Sequence, residues 1–146
     1  IESSTFSGCT NLKSITIPNS VTEIDQMAFL GCSSLKSITI PDGVKAIRTY
    51  AFCACSSLTS ITIPNSVTEI EYSAFSNCSS MTSIFFKAIT PPKTSYRSSC
   101  DAFNNNASDL LIYVPKSEYS TVLKTYQSAD GWKEYAYDIY EYDFDN

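Results

Sequence analysis

A repeat solenoid of the α/β type is the fold this sequence predicts, and three observations predict it. The chain nearly reproduces itself when shifted by 23 residues: Phe6, Phe29, Phe52 and Phe75 share one phase, and Cys9, Cys32, Cys55 and Cys78 share the next. Within each period the apolar residues follow a Leu-x-x-Ile-x-Ile core, as in Leu35, Ile38 and Ile40 or Leu58, Ile61 and Ile63. Pro18, Pro41 and Pro64 close that core at one phase. A fixed period of this length with this core marks a right-handed leucine-rich-repeat solenoid, with short parallel strands and little helix beyond a C-terminal cap.

Each element of a rung follows from its residues. Ile15 and Ile17 alternate with Ser14 and Thr16, the pattern of a short strand with one buried face. Pro18-Asn19-Ser20 ends that strand, because proline donates nothing to a ladder and suits the first corner of a turn. Val21 and Ile24 come next and fit a second short extended segment on the opposite wall. The run from Ala28-Phe29 through Cys32 to Leu35 reads as a tight helical or 3₁₀ turn carrying the chain back. No rung can bury its apolar side chains alone. Stacking does so, at roughly 1.5–3 kcal/mol per large side chain before entropy is subtracted.

Residues 1–89 hold four such rungs, the first truncated. The pattern then frays: Lys87, Thr90 and Lys93 take phases that held Pro, Val and Ile, and Pro91-Pro92 opens a loop. Ala102-Phe103 restores the Ala-Phe pair after five extra residues, and Ile112, Val114 and Pro115 rejoin the strand phase, giving a degenerate fifth rung. Tyr119, Val122, Leu123 and Tyr126 form one apolar stripe of a helix over about residues 116–127. Ala129-Asp130-Gly131 breaks it, Trp132 and Tyr135 fall on a short turn, and a final strand is expected at about 136–142. Residues 90–146 therefore read as the fifth rung plus a cap whose apolar face covers the end of the stack.

Composition excludes several function classes. A formal charge of −5 and a pI near 4.6 argue against nucleic-acid phosphates as a partner. No apolar run approaches the roughly 20 residues of a membrane span. Ile1 sits in the phase of Ile24, so the chain is expected to begin in mid-repeat, with any export signal upstream. Histidine is absent, which removes the commonest general base and metal ligand together. No catalytic set assembles, and the sequence calls for neither an enzyme nor a cofactor. Asp143 and Asp145 could hold a hard cation, or could simply charge an edge strand against aggregation.

Four of the six cysteines belong to the repeat column. Stacked rungs lie about 4.7–4.9 Å apart with parallel Cβ vectors, whereas a disulfide wants Cβ atoms roughly 3.5–4.5 Å apart and twisted. The column is thus expected to be reduced, buried thiols. Cys53 and Cys100 stand outside it and could pair or stay isolated.

The candidate site is the outward column of the strand wall, Thr16, Thr39, Thr62, Phe85 and Tyr113, with Ser37, Ser60 and Ser83 beside it. Rows of Thr and Ser suit an exposed strand by β-propensity alone. Phe85 and Tyr113 break the row, and their rings are expected side by side. Either they form an exposed aromatic platform, or the insertion after Pro91 or the C-terminal helix covers them. The wall is then a binding surface for a protein or glycan, or the face of a spacer that lengthens a stalk.

The full motif, Cys-x-x-Leu-x-x-Ile-x-Ile-Pro-x-x-Val-x-x-Ile-x-x-x-Ala-Phe, occurs at residues 32–52 and 55–75. It resembles the BspA-type (Treponema pallidum-type) leucine-rich repeat over about residues 1–86. Ala88-Ile-Thr-Pro-Pro, Ile112-Tyr-Val-Pro and the helix before Trp132 resemble the C-terminal closure of such arrays in Bacteroides-like bacteria. The resemblance implies a secreted or surface-anchored bacterial protein, and a role in adhesion to a host matrix protein, a glycan or another cell. A non-binding structural spacer is the alternative.

Overall fold

A computed structural model describes residues 1–94 and 101–145. Two parallel sheets form the two walls of a solenoid. One contains β1 (Glu23–Ile24), β2 (Ala46–Ile47), β4 (Glu69–Ile70) and β6 (Lys93–Thr94) in that spatial order. The other contains β3 (Ser60–Ile63), β5 (Ser83–Phe86), β7 (Leu111–Pro115) and β8 (Ile139–Tyr142). The sequence period is the pairing register: Ile24 sits opposite Ile47, Ile47 opposite Ile70, and Ser60 opposite Ser83. In the first two rungs the second wall reduces to one parallel bridge, Thr16 to Thr39. Burial follows the alternation in β3, where Ile61 and Ile63 point inward and Ser60 and Thr62 outward.

The return segment is turn, as expected, but no α or 3₁₀ helix runs through it. It is a run of β-turns, closed by bonds from the N–H groups of Ala28, Leu30, Cys32 and Leu35 to the carbonyls of Asp25, Met27, Phe29 and Cys32. Two left-handed residues per rung prevent a helix. Ser4, Met27, Tyr50 and Ser73 form one such column, and Gly8, Gly31, Ala54 and Asn77 the other. A residue at positive φ cannot continue a right-handed helix. Its N–H turns to the next rung instead: Met27 donates to Thr49 at 3.0 Å and Gly31 to Cys53 at 2.8 Å, with Phe29 donating to Ala51 at 2.8 Å between them. The turns are thus laddered between rungs as the strands are.

Inside this frame two residue ladders fill the core. The rings of Phe6, Phe29, Phe52, Phe75 and Phe103 stack face to face, with centroids 5.1–5.9 Å apart and planes within 12°. Beside them the thiols of Cys32, Cys55 and Cys78 each donate to the carbonyl oxygen of a phenylalanine in the preceding rung, Phe6, Phe29 and Phe52, at 3.1–3.3 Å. These cysteines are free and buried, as is Cys53. Cys9 departs from expectation: it is exposed. Cys100, the suggested partner of Cys53, lies outside the described residues.

The cap begins with a 3₁₀ turn at Glu118–Ser120 and continues as helix α1, Thr121–Ser128. The helix starts later than its apolar stripe suggests because Ser120 is left-handed, with φ at 53°. Likewise β8 starts at Ile139, since Ala136 is still in the helical region and closes the 3₁₀ turn Lys133–Tyr135. Tyr126 and Trp132 are fully buried over Phe86, with ring centroids 5.9 and 5.0 Å from it.

Candidate functional site

On the β3–β5–β7–β8 wall the two middle strands, β5 and β7, are paired on both sides, so over them the wall presents side chains. The structure gathers Ser37, Thr39, Ser60, Thr62 and Phe85 around one open cleft of about 700 Å³. Thr16, Ser83 and Tyr113 do not line it. Thr16 bridges to Thr39 on the neighbouring rung, and Ser83 pairs with Ser60. Tyr113 stacks against Phe85, with centroids 4.8 Å apart and planes 11° from parallel.

The two rings are adjacent, and both are half-buried. Their partners come from the chain's tail. Tyr142 meets the Phe85 ring edge-on at 5.1 Å, and Phe144 does so at 6.4 Å. Tyr142 also meets Tyr113 at 5.8 Å. The paired register explains the placement: β8 lies parallel to β7 with Tyr113 opposite Tyr140, so the outward aromatic column continues into the tail. Residues 95–100 of the insertion, one suggested cover, lie outside the described residues.

Five cleft residues were not singled out from sequence. Asn19 and Asp42 look like turn residues after a proline, Lys87 looks like a lapse of the proline column, and Tyr142 and Phe144 look like an acidic tail. The usable signal was phase: Asn19 and Asp42 share one column, and Lys87 belongs to the Pro41–Pro64 column that rims the cleft.

The opposite wall carries the strongest charge network. Arg48 forms ion pairs with Glu23, with Glu69 at 3.1 Å and with Glu71 at 2.7 Å. Glu71 also accepts from the N–H and hydroxyl of Thr49 at 3.0 and 2.8 Å. Burial pushes the Glu71 carboxyl upward, but the hydrogen bonds from Arg48 and Thr49 outweigh it and hold the group below its usual range. In the tail, Asp143 accepts from the N–H of Asp145 at 3.1 Å. No group of three or more metal-ligating side chains is assembled among the described residues.

The model of the BspA type leucine-rich repeat region matches residues 1–119 in six copies. The chain belongs to that family. As a BspA-type module it is also similar to the crystal structure of a leucine-rich repeat protein from Bacteroides ovatus, at 28% identity and a TM-score of 0.55. That match covers 80% of this chain and 34% of the other, so the module spans about a third of its structural relative. No curated protein matches the chain. Among the described residues no helix is long and apolar enough to cross a membrane.

Proposed function

We propose that this BspA-type module is a ligand-binding part of a secreted or cell-surface protein, with adhesion to a host matrix protein, a glycan or another cell as its role. Its strand wall is the ligand face. One observation carries the reading: the outward column is not uniform. Three threonines, Thr16, Thr39 and Thr62, give way to Phe85, Tyr113 and Tyr140, and the cleft lies where the two kinds of surface meet. A spacer would keep the column uniform, although part of this column's aromatic half packs on Tyr142 and Phe144 of the tail. The regular Thr16–Thr39–Thr62 stretch taken alone favours the second reading, a spacer.

A binding screen against immobilised matrix proteins, glycans and intact bacterial cells separates the two. The adhesion reading expects a saturable partner whose binding weakens on substitution of Phe85 or Thr62. A module that binds none of them and serves equally well when replaced by unrelated rungs is a spacer.

A further inference from the structure

The cleft combines features that need not occur together. The hydroxyls of Ser37, Thr39, Ser60 and Thr62 make no hydrogen bond with another described side chain. Asn19, Asp42 and Lys87 also line the cleft, and none of the three side chains forms an ion pair or hydrogen bond among the described residues. The far end is closed by the half-exposed rings of Phe85 and Tyr142. Unpaired donors and acceptors of both kinds therefore line a trough that ends in aromatic surface.

We propose, resting on the binding reading above, that this cleft is a subsite for a neutral oligosaccharide lying along the stack axis. Four points select that ligand class. A sugar presents a ring of hydroxyls, each both donor and acceptor, which a mixed set of hydroxyl, amide, carboxylate and ammonium groups can satisfy together. Its less polar C–H face packs on an aromatic ring, as amphipathic rings allow. One free carboxylate and one free ammonium balance, and the chain carries a formal charge of −5, so a sulfated or uronic-acid polymer would be repelled. The cleft crosses four rungs, from Asn19 to Lys87, a run of roughly 15 Å at strand spacing, which is the scale of a short oligosaccharide.

An extended peptide fits less well. It would bind by adding a strand to a free sheet edge, whereas the cleft is lined by the outward side chains of β3 and β5, which pair with each other.

The roles follow from position. Asp42 would accept from two sugar hydroxyls, Asn19 and Lys87 would fix the ring's orientation, and Phe85 with Tyr142 would hold the terminal residue.

The test uses this chain, an array of neutral glucose, galactose and mannose tri- and tetrasaccharides, heparin fragments, and matrix proteins with and without their glycans. Calorimetric titration follows for any saccharide retained. Expected is saturable binding of a neutral saccharide, weakened about 10-fold or more in Asp42→Ala by loss of a charged acceptor. Phe85→Thr should weaken it similarly, while Lys45→Ala on an exposed site outside the cleft should not. Asp42 is exposed, and Asp42→Asn serves as a second, isosteric change, so loss of the fold cannot mimic loss of the site. Neutral saccharide binding that is unaltered in both Asp42 variants would overturn the assignment. Binding of a deglycosylated matrix protein or of heparin without any neutral saccharide would overturn it and leave the adhesion reading standing. Binding of nothing at all would remove both.

Discussion

Trp132 donates its indole N–H to the carbonyl oxygen of Pro92 at 2.9 Å, inside a fully buried contact. Tyr126 does the same for Ala88, its hydroxyl donating to that carbonyl at 2.9 Å. Pro91-Pro92 interrupts the repeat where the chain can no longer ladder regularly, so these carbonyls need partners from elsewhere. The cap supplies them. Trp132→Phe and Tyr126→Phe keep most of the ring packing and remove one donor each, so each should cost about 1–3 kcal/mol in urea unfolding. The two rings lie 5.0 Å apart, so the double variant should not be additive. A cost near zero for both would show that the cap is held by packing alone.

Removing the cap should be worse than loosening it. A chain ended after Val114 lacks β8, Tyr126 and Trp132, and bares Phe86 and the edge of β7. The expected outcome is aggregation, or a melting curve without a cooperative transition. A soluble monomer with the parent melting curve would show that the rungs cap themselves.

The left-handed column offers a stabilising change. Gly8 and Gly31 occupy this position in two rungs at φ 71° and 70°, Asn77 holds it at 59°, and Ala54 holds it at 59° as well. An alanine there carries a left-handed cost of roughly 1–2 kcal/mol, against about 0.5–1 kcal/mol of extra chain entropy for glycine. Ala54→Gly should therefore raise stability slightly, by about 0.5–1 kcal/mol. Gly131 is the opposite case. Its φ is 78°, and a Cβ would come within 2.0 Å of the Thr94 hydroxyl oxygen, so Gly131→Ala should destabilise the cap's packing on β6. Thermal melts of the two variants should move in opposite directions.

The thiol ladder predicts both reactivity and alkaline stability. Burial pushes Cys32 up to about 11 and Cys78 up to about 12, and pushes Cys55 up further still. Alkylation near pH 8 should label Cys9 rapidly and leave Cys32, Cys55 and Cys78 untouched until the protein unfolds, as peptide mass spectrometry would show. The folded values lie above the unfolded thiol value of about 8.5. This contribution to stability is therefore complete below about pH 8.5 and is lost as the pH rises through the folded values. Native-state labelling of Cys55 at the rate of Cys9 would refute the closed ladder.

Much of this fold was legible because its period is its geometry. A residue 23 positions on is a neighbour one rung up, so Phe29 over Phe52 or Ile47 beside Ile70 could be read directly. The backbone path of the return turn is not legible, for a physical reason. Ala28, Phe29, Cys32 and Leu35 have helical spacing, but Met27 and Gly31 sit at positive φ, and methionine gives no sign of it. The candidate wall was legible as columns but not as a cleft. Its closing rings, Tyr142 and Phe144, reach it through the register of β8, which lies outside the repeat. Asn19 and Asp42 also satisfy the chemistry of a turn, which hides from the sequence that the fold sets them on one rim.

Arg48 supports the last prediction. Among the described residues it is the one cation paired with three carboxylates, Glu23, Glu69 and Glu71, contributed by β1, β4 and the residue after β4. Isolated surface pairs contribute little, about 0.2–1 kcal/mol each, but here removal also leaves three like charges facing one another. Arg48→Met keeps an apolar stem of similar length and should cost about 1–2 kcal/mol at pH 7 and low salt. Glu71 lies below its unfolded value, so its share of stability is present above about pH 4.3 and is lost as the pH falls through the folded value. Arg48 remains charged throughout that range. The difference between the parent and the variant should therefore shrink as the pH falls through the lowered Glu71 value, and also in high salt. Urea melts at pH 7 and pH 3 read both differences. An equal loss at the two pH values would assign the role of Arg48 to its aliphatic packing and not to its charge.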